Sequence, residues 1–341
     1  MPTVVLGIET SCDETAAAVV EDGVRVRSNI IATQHDLHAR YAGVVPEIAS
    51  RAHLERILPV VREALATAGA TLGDLDAVAV GHRPGLIGSL LVGVSAAKAL
   101  AWSLGVPIVG VDHVVAHLHA AFLRDDEGGA EAARRDAAPN ATRRTDVATP
   151  AREASPGAAL GLVVSGGHTN MYLVDEAGRA APLARTIDDA VGEAYDKVGT
   201  LLGLPYPGGP HVDRLAASGD ERAFDFPTGL PRRDVLDFSF SGLKTAVLYE
   251  VRPPSRRGGD RTGLAAPGAQ PSERAGPPQL TERRRADIAA SFQRAAIGAI
   301  VRKIGLALDR HPVATLLVGG GVSANSRLRR ELAELAAERG V

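Results

Sequence analysis

Residues 3–20, TVVLGIETSCDETAAAVV, and residues 158–174, AALGLVVSGGHTNMYLV, share one layout, and that repeat decides the fold. In the first stretch, an apolar, β-branched run at 3–8 meets a polar turn at 9–14 and returns as a second strand at 15–20. In the second, strand-like runs at 158–164 and 169–174 flank the short turn Ser165-Gly-Gly-His168. Each hairpin leads to a third strand-like run, 24–31 in one case and about 179–186 in the other, and then to helices.

The spacing of apolar residues predicts the rest. The first half continues with a helix near 46–69, a strand at 77–80, a helix near 88–104, a strand at 107–111 and a helix carrying His113, His117 and His119. The second half continues with helices near 190–203, 209–218, 241–250 and 282–310, a strand at 314–318 and a last helix from Ser323. This alternation is an α/β chain with mixed sheets in two similar subdomains. The subdomains span 1–124, with the histidine helix, and 158–341. Between them, residues 125–157 mix Ala, Arg, Asp, Pro and Thr without apolar periodicity, and 253–278 are rich in Gly, Pro and Arg; both read as insertions. Arginines around the second insertion, Arg252 and Arg283 among them, offer a local positive surface or an ordinary solvated loop.

Composition excludes several classes. With 341 residues, 45% hydrophobic and 23% charged, the chain is globular and long enough for two domains of about 150 residues. A net charge of −2 gives no global attraction to nucleic acid or an anionic membrane, so a polyanion must meet a local patch. The single cysteine, Cys12, cannot form an internal disulfide. No apolar run approaches the roughly 20 residues of a membrane span, and the start lacks a basic region followed by an apolar core. These features predict a cytoplasmic protein without a membrane partner.

Two glycine turns and one polar turn point to a phosphate or nucleotide ligand held in a central cleft between the two subdomains. Without a Cβ, the backbone amides of Ser165-Gly-Gly-His168 can approach an anion, although such turns also occur in plain hairpins. Gly319-Gly-Gly321 follows a strand and precedes a helix, where a phosphate or base can meet the backbone. In the opposite turn, Asp13 and Glu14 suit either a metal-bridged phosphate or plain solvent. His113 and His117 stand one helical turn apart and can clamp a borderline metal, which wants at least one further ligand. Helix-borne histidines are more often packed or surface residues, so the pair alone leaves both readings open.

Eight ordered motifs carry a resemblance: residues 7–15 GIETSCDET, 43–53 GVVPEIASRAH, 112–117 DHVVAH, 164–169 VSGGHT, 189–197 DAVGEAYDK, 206–210 YPGGP, 238–246 FSFSGLKTA and 320–325 GGVSAN. Together they resemble the bacterial tRNA N6-adenosine threonylcarbamoyltransferase family, TsaD, from about residue 3 to the last residue except in the two insertions. The resemblance implies a fold of the actin, Hsp70 and sugar-kinase kind. It implies transfer of a threonylcarbamoyl group from threonylcarbamoyl-AMP to N6 of the adenosine at position 37 of tRNAs reading codons that begin with A. His113 and His117 fall on the family's metal ligands, for one divalent ion, Fe2+ or alternatively Zn2+; His119 has no counterpart there. Val164, Ser165, Gly166, Gly167, His168, Asp196, Gly209, Asp213 and Asn325 fall on its adenylate contacts. Sister subunits like TsaB and TsaE are the implied partners, with tRNA.

Two departures qualify the resemblance. Arg83 stands in 81–86 GHRPGL where the family has a glycine, which predicts a different backbone shape there. The family also continues with a strand and a Thr-Asp-Asn segment whose aspartate is the third metal ligand, and no residue here matches it. That predicts either a fragment or a degenerate member. The rival functions are a non-catalytic scaffold subunit of the modification complex and an ATPase or sugar kinase of the same fold. A metalloprotease of the H-E-x-x-H kind would need Glu after His113, where Val114 stands.

Overall fold

β1 (Val4–Glu9) buries every second residue, and Val4, Leu6 and Ile8 face the core. It pairs antiparallel with β2 (Glu14–Glu21), which pairs antiparallel with β3 (Arg25–Thr33). On its other side β1 runs parallel to β4 (Ala77–Arg83), and β4 parallel to β5 (Ile108–Asp112). A two-residue strand, β6 (Arg124–Asp125), closes the order β5-β4-β1-β2-β3-β6. The computed structural model describes residues 2–39, 41, 43–125, 157–252 and 280–341. The two predicted insertions lie outside the described residues, apart from Asp125, which belongs to β6, and Gly157.

Helix α1 (His35–Ala39) is a short turn that the apolar pattern did not predict. Against the sheet pack α2 (Pro46–Thr67) and α3 (Ile87–Leu104). Ile57, Val60, Val61 and Ala64 of α2 and Ala97 and Ala101 of α3 share one core with Leu6, Val19 and Val78. Each fully buried Leu or Val side chain contributes about 1.5–3 kcal/mol. Gly105, with φ 69°, ends α3 as a left-handed cap. Among the described residues α3 is the one helix with the length and apolarity of a membrane span, closer to one than composition predicted.

A second sheet has the order β10-β7-β8-β9, formed by β7 (Ala159–Val164), β8 (Thr169–Val174), β9 (Ala180–Arg185) and β10 (Thr315–Gly319). β10 lies parallel beside β7 as β4 lies beside β1, so the repeat read in sequence is a repeat of topology. Among the described residues no strand stands beside β10 as β5 stands beside β4. All six residues of β7 are buried, the pattern of a strand covered on both faces.

By its contacts the chain forms two compact units. Unit one is Met1–Val163, Met171–Pro182 and Val313–Gly320; unit two is Val164–Asn170, Leu183–Pro312 and Gly321–Val341. Within unit one, α4 (His113–His119) packs Val114 and Leu118 with Ala159 and Val163 of β7 and Leu317 of β10.

Unit two is built on α8 (Glu282–Arg310), capped by Thr281, whose hydroxyl accepts from the Arg284 amide. Around it stand α5 (Val191–Leu201), α6 (Gly208–Ala216), α7 (Ser241–Val251) and α9 (Ser326–Arg339). The last helix starts at Ser326 and not at Ser323. Residues Gly321–Ala324 form a 3-10 turn, and the Asn325 side chain accepts from the Leu328 amide at 2.9 Å as the N-cap.

Candidate functional site

Glycines seat the histidine helix. A Cβ on Gly161 would stand 2.9 Å from the Leu118 side chain, and one on Gly319 would stand 2.3 Å from the His117 carbonyl oxygen. Bare backbone at β7 and β10 thus lets α4 lie close against the strands. The bareness of Gly319, read in sequence as room for a ligand, is used by this packing.

Asp112 caps α4, its Oδ1 accepting from the amides of Val114 at 3.0 Å and Val115 at 3.2 Å. With Val114 and Leu118 turned inward, His113 and His117 share the neighbouring face. Their Nε2 atoms are 3.2 Å apart, and the rings meet edge to face at 4.7 Å. His119 points elsewhere and packs against Phe122 with ring centroids at 6.2 Å.

Behind His113 stands a residue to which the sequence reading gave no role. Glu9, the last residue of β1, places Oε2 3.0 Å from Nδ1 of His113, and the Ser11 hydroxyl lies 3.2 Å from the same nitrogen. Burial disfavours charge on both groups, but their hydrogen bond and mutual attraction outweigh it: the Glu9 carboxyl is held below the usual carboxylate range and the His113 imidazole above its ordinary value. Burial and the charge of Asp13 push the neighbouring Glu14 carboxyl up.

This donor set fits part of a metal site. A carboxylate on Nδ1 fixes the ring and leaves the Nε2 lone pair pointing forward. Two imidazole nitrogens 3.2 Å apart are at a separation that one ion about 2.0–2.1 Å from each permits. Among the described residues no group of three or more His, Cys, Asp or Glu side chains comes together to complete the set.

The β4–β5 register shifts between Gly81 and Arg83, which pairs Arg83 with Asp112 across the ladder, and the guanidinium lies 3.4 Å from the Asp112 carboxylate. Beyond it, the Leu86 amide donates to the Ser11 carbonyl at 2.8 Å, and a Cβ on Gly85 would stand 2.6 Å from that same oxygen. This loop therefore clamps the turn that carries Glu9 and Ser11.

In unit two, the Ser165-Gly-Gly-His168 turn is closed by the Ser165 amide donating to the His168 carbonyl at 2.8 Å and the His168 amide donating to the Ser165 hydroxyl at 3.1 Å. The start of α5 abuts it: the Gly192 amide donates to the Ser165 carbonyl at 3.2 Å, and a Cβ on Gly192 would stand 2.5 Å from that oxygen. Where Cβ atoms of Gly166 and Gly167 would stand there is nothing within 4 Å. An anion could therefore reach the bare backbone of the turn. Val164, before it, is fully buried in β7 and sets the turn's base.

The remaining candidates are tied to helix starts. Asp196 Oδ1 accepts from the amides of Gly208 at 2.8 Å and Gly209 at 3.3 Å, capping α6 from outside. The position of a Cβ on Gly209 is open, whereas one on Gly208 would stand 2.9 Å from the Asp196 Cα. Asp213 accepts from the Ser326 amide at 3.0 Å and the Ser326 hydroxyl at 2.8 Å, so it sits beside Asn325 at the start of α9. Asp196 and Asp213 are therefore not the plain surface carboxylates that helical position alone favours.

A family model for TsaD, tRNA N6-adenosine threonylcarbamoyltransferase, matches residues 25–132 and 145–341, which leaves out residues 1–24 and part of the first insertion. The protein of that name from Moorella thermoacetica is 46% identical over 330 residues, covering 97% of this chain and 82% of its own length. That from Geobacter metallireducens is 47% identical over 337 residues, covering 99% and 84%. Among solved structures, HypF of T. kodakarensis aligns over 100% of this chain and 45% of its own at 13% identity with a TM-score of 0.54, and a full-length HypF over 98% and 51% at 12% identity with a TM-score of 0.51. At such identity the likeness concerns the fold alone, an α/β fold with the repeated strand topology described above. With nearly half its residues shared along almost its whole length, the chain belongs to the tRNA N6-adenosine threonylcarbamoyltransferase family.

Proposed function

We propose that the transfer for which the family is named runs here from threonylcarbamoyl-AMP to N6 of adenosine 37 in tRNAs that read codons beginning with A. The observation that carries this reading is the Ser165-Gly-Gly-His168 turn, whose two glycines leave open space before the backbone where α5 begins. Backbone amides in that position suit the phosphate of an adenylate, and they would hold the leaving group as charge grows on it. Asp196 and Asp213 have acceptor oxygens for ribose hydroxyls, and Gly209 leaves room for the nucleoside.

The step itself is acyl transfer. The N6 amine attacks the threonylcarbamoyl carbonyl, a C–N bond forms, the bond from that carbon to the phosphate oxygen breaks, and AMP departs while N6 gives up a proton. No side-chain nucleophile is required. His113 and His117 would hold a divalent ion, Fe2+ or Zn2+, with Glu9 orienting His113. Such an ion, when bound, orients substrate and withdraws charge as a Lewis acid.

Sister subunits of the TsaB and TsaE kind would act with it in the cytoplasm. The side chains that support a protein partner are the exposed apolar ones of α2 and α3, namely Leu54, Leu58, Ile87, Leu91 and Trp102, the last 90% exposed. The test is to incubate the chain and its sister subunits with threonylcarbamoyl-AMP and unmodified tRNA, then to digest the tRNA and weigh its nucleosides. Threonylcarbamoyladenosine together with an equal amount of AMP is expected. Sister-subunit binding without modified adenosine would replace the transferase reading with the scaffold reading.

A further inference from the structure

Gln293, on α8, is 5% exposed and uses both ends of its side chain. Its Nε2 donates to Asp213 Oδ1 at 3.0 Å. Its Oε1 accepts from Asn325 Nδ2 at 3.0 Å and from the Tyr195 hydroxyl at 3.2 Å. Tyr195 is 1% exposed, and all four residues belong to unit two.

The directions of these bonds follow from chemistry alone. An ionised carboxylate only accepts, so the Gln293 amide must turn its NH2 group toward Asp213. Its carbonyl oxygen then faces Asn325, which must answer with its own NH2 group. That leaves the Asn325 carbonyl oxygen for the Leu328 amide, which it meets at 2.9 Å. One directed chain therefore runs from the first turn of α9, through Asn325 and Gln293, to the Asp213 carboxylate. Neither end can rotate without breaking a buried bond.

We infer that Gln293 is a positioning residue for nucleotide binding, which fixes the orientation of the Asp213 carboxylate and of the Asn325 segment at once. The inference rests on the adenylate reading above. A leucine at this position would fill similar space but hold neither group. A glutamate would keep the shape, and its protonation would decide whether it can donate to Asp213. The ionisable groups facing that position are Asp213, Tyr195 and, around Tyr195, Arg327 and Glu331. Burial keeps the Tyr195 hydroxyl protonated throughout.

The test measures AMP affinity by calorimetry and thermal stability together, in the wild type, Gln293→Leu and Gln293→Glu. Gln293→Leu should bind AMP at least about tenfold more weakly, the size of one lost bond to a charged group. Gln293→Glu should be equally weak near pH 8, where two carboxylates oppose each other. At lower pH, where two carboxylates this close can share one proton, its affinity should return to within about threefold of the wild type at the same pH. A role confined to packing would lower the melting temperature without that pH-dependent recovery. Unchanged AMP affinity in both variants, or a Gln293→Glu that stays weak at both pH values, overturns the inference and leaves the adenylate reading standing. A wild type with no affinity for AMP overturns both.

Discussion

Glu9 and His113 are 104 residues apart in sequence and 3.0 Å apart in space, joined by Oε2 of one and Nδ1 of the other. The carboxylate fixes the ring and raises its basicity, which is what a ligand imidazole needs from its surroundings. Glu9→Ala should therefore weaken zinc binding by about 10–100-fold, read by competition with a chromophoric chelator, while secondary structure stays intact. Equal affinity in the variant would mean that the carboxylate serves only the fold.

Two imidazoles make an incomplete set, and no third donor joins them among the described residues. Dialysed protein should carry well under one equivalent of metal by elemental analysis. With metal supplied and the sister subunits present, His113→Ala or His117→Ala should remove most of the transfer rate, and His119→Ala, on the face toward Phe122, should leave it nearly unchanged. A loss from His119→Ala as large as from His117→Ala would place the metal elsewhere.

Gly192 and Gly166 separate packing from binding. A methyl on Gly192 meets the Ser165 carbonyl oxygen at 2.5 Å and the Gly166 Cα at 2.8 Å, so backbone must move. Gly192→Ala should cost about 1–3 kcal/mol in urea unfolding and displace the turn. Gly166→Ala meets nothing within 4 Å and should leave unfolding unchanged while weakening AMP binding. If both variants bind AMP like the wild type, the turn is not the phosphate site.

His53 is fully buried, with Nε2 3.0 Å from the Cys12 carbonyl oxygen and Nδ1 2.8 Å from the Thr15 hydroxyl. Burial outweighs the Cys12 bond and the charges of Glu9 and Asp13, so its imidazole is held below its ordinary value. The unfolded chain therefore takes up this proton first as pH drops below about 6.5. The stability that neutral His53 contributes is complete above that value and is lost as pH falls toward the folded value. The melting temperature should decline between pH 7.5 and about 5.5, and His53→Gln should flatten that decline. Parallel declines would assign the effect to other groups.

What sequence made legible was local. α8 is legible at its observed bounds because apolar residues recur along its length. The duplicated hairpins were read because alternation and turn residues lie within 20 positions of each other. The start of α9 was misplaced because Ser323 and Asn325 are both capping residues, and only the observed bond to the Leu328 amide distinguishes them. Glu9 and Gln293 went unread for another reason: their partners are 104 and 80 residues away, and no spacing rule connects them.

That separation has a consequence for the order of assembly. Closing a long loop costs entropy that a single hydrogen bond cannot offset, so the Glu9–His113 contact has to wait for the β1–β4–β5 ladder that delivers both ends. Helix α4 should accordingly be among the last parts of unit one to become protected from hydrogen exchange during refolding, and among the first to open in the native state.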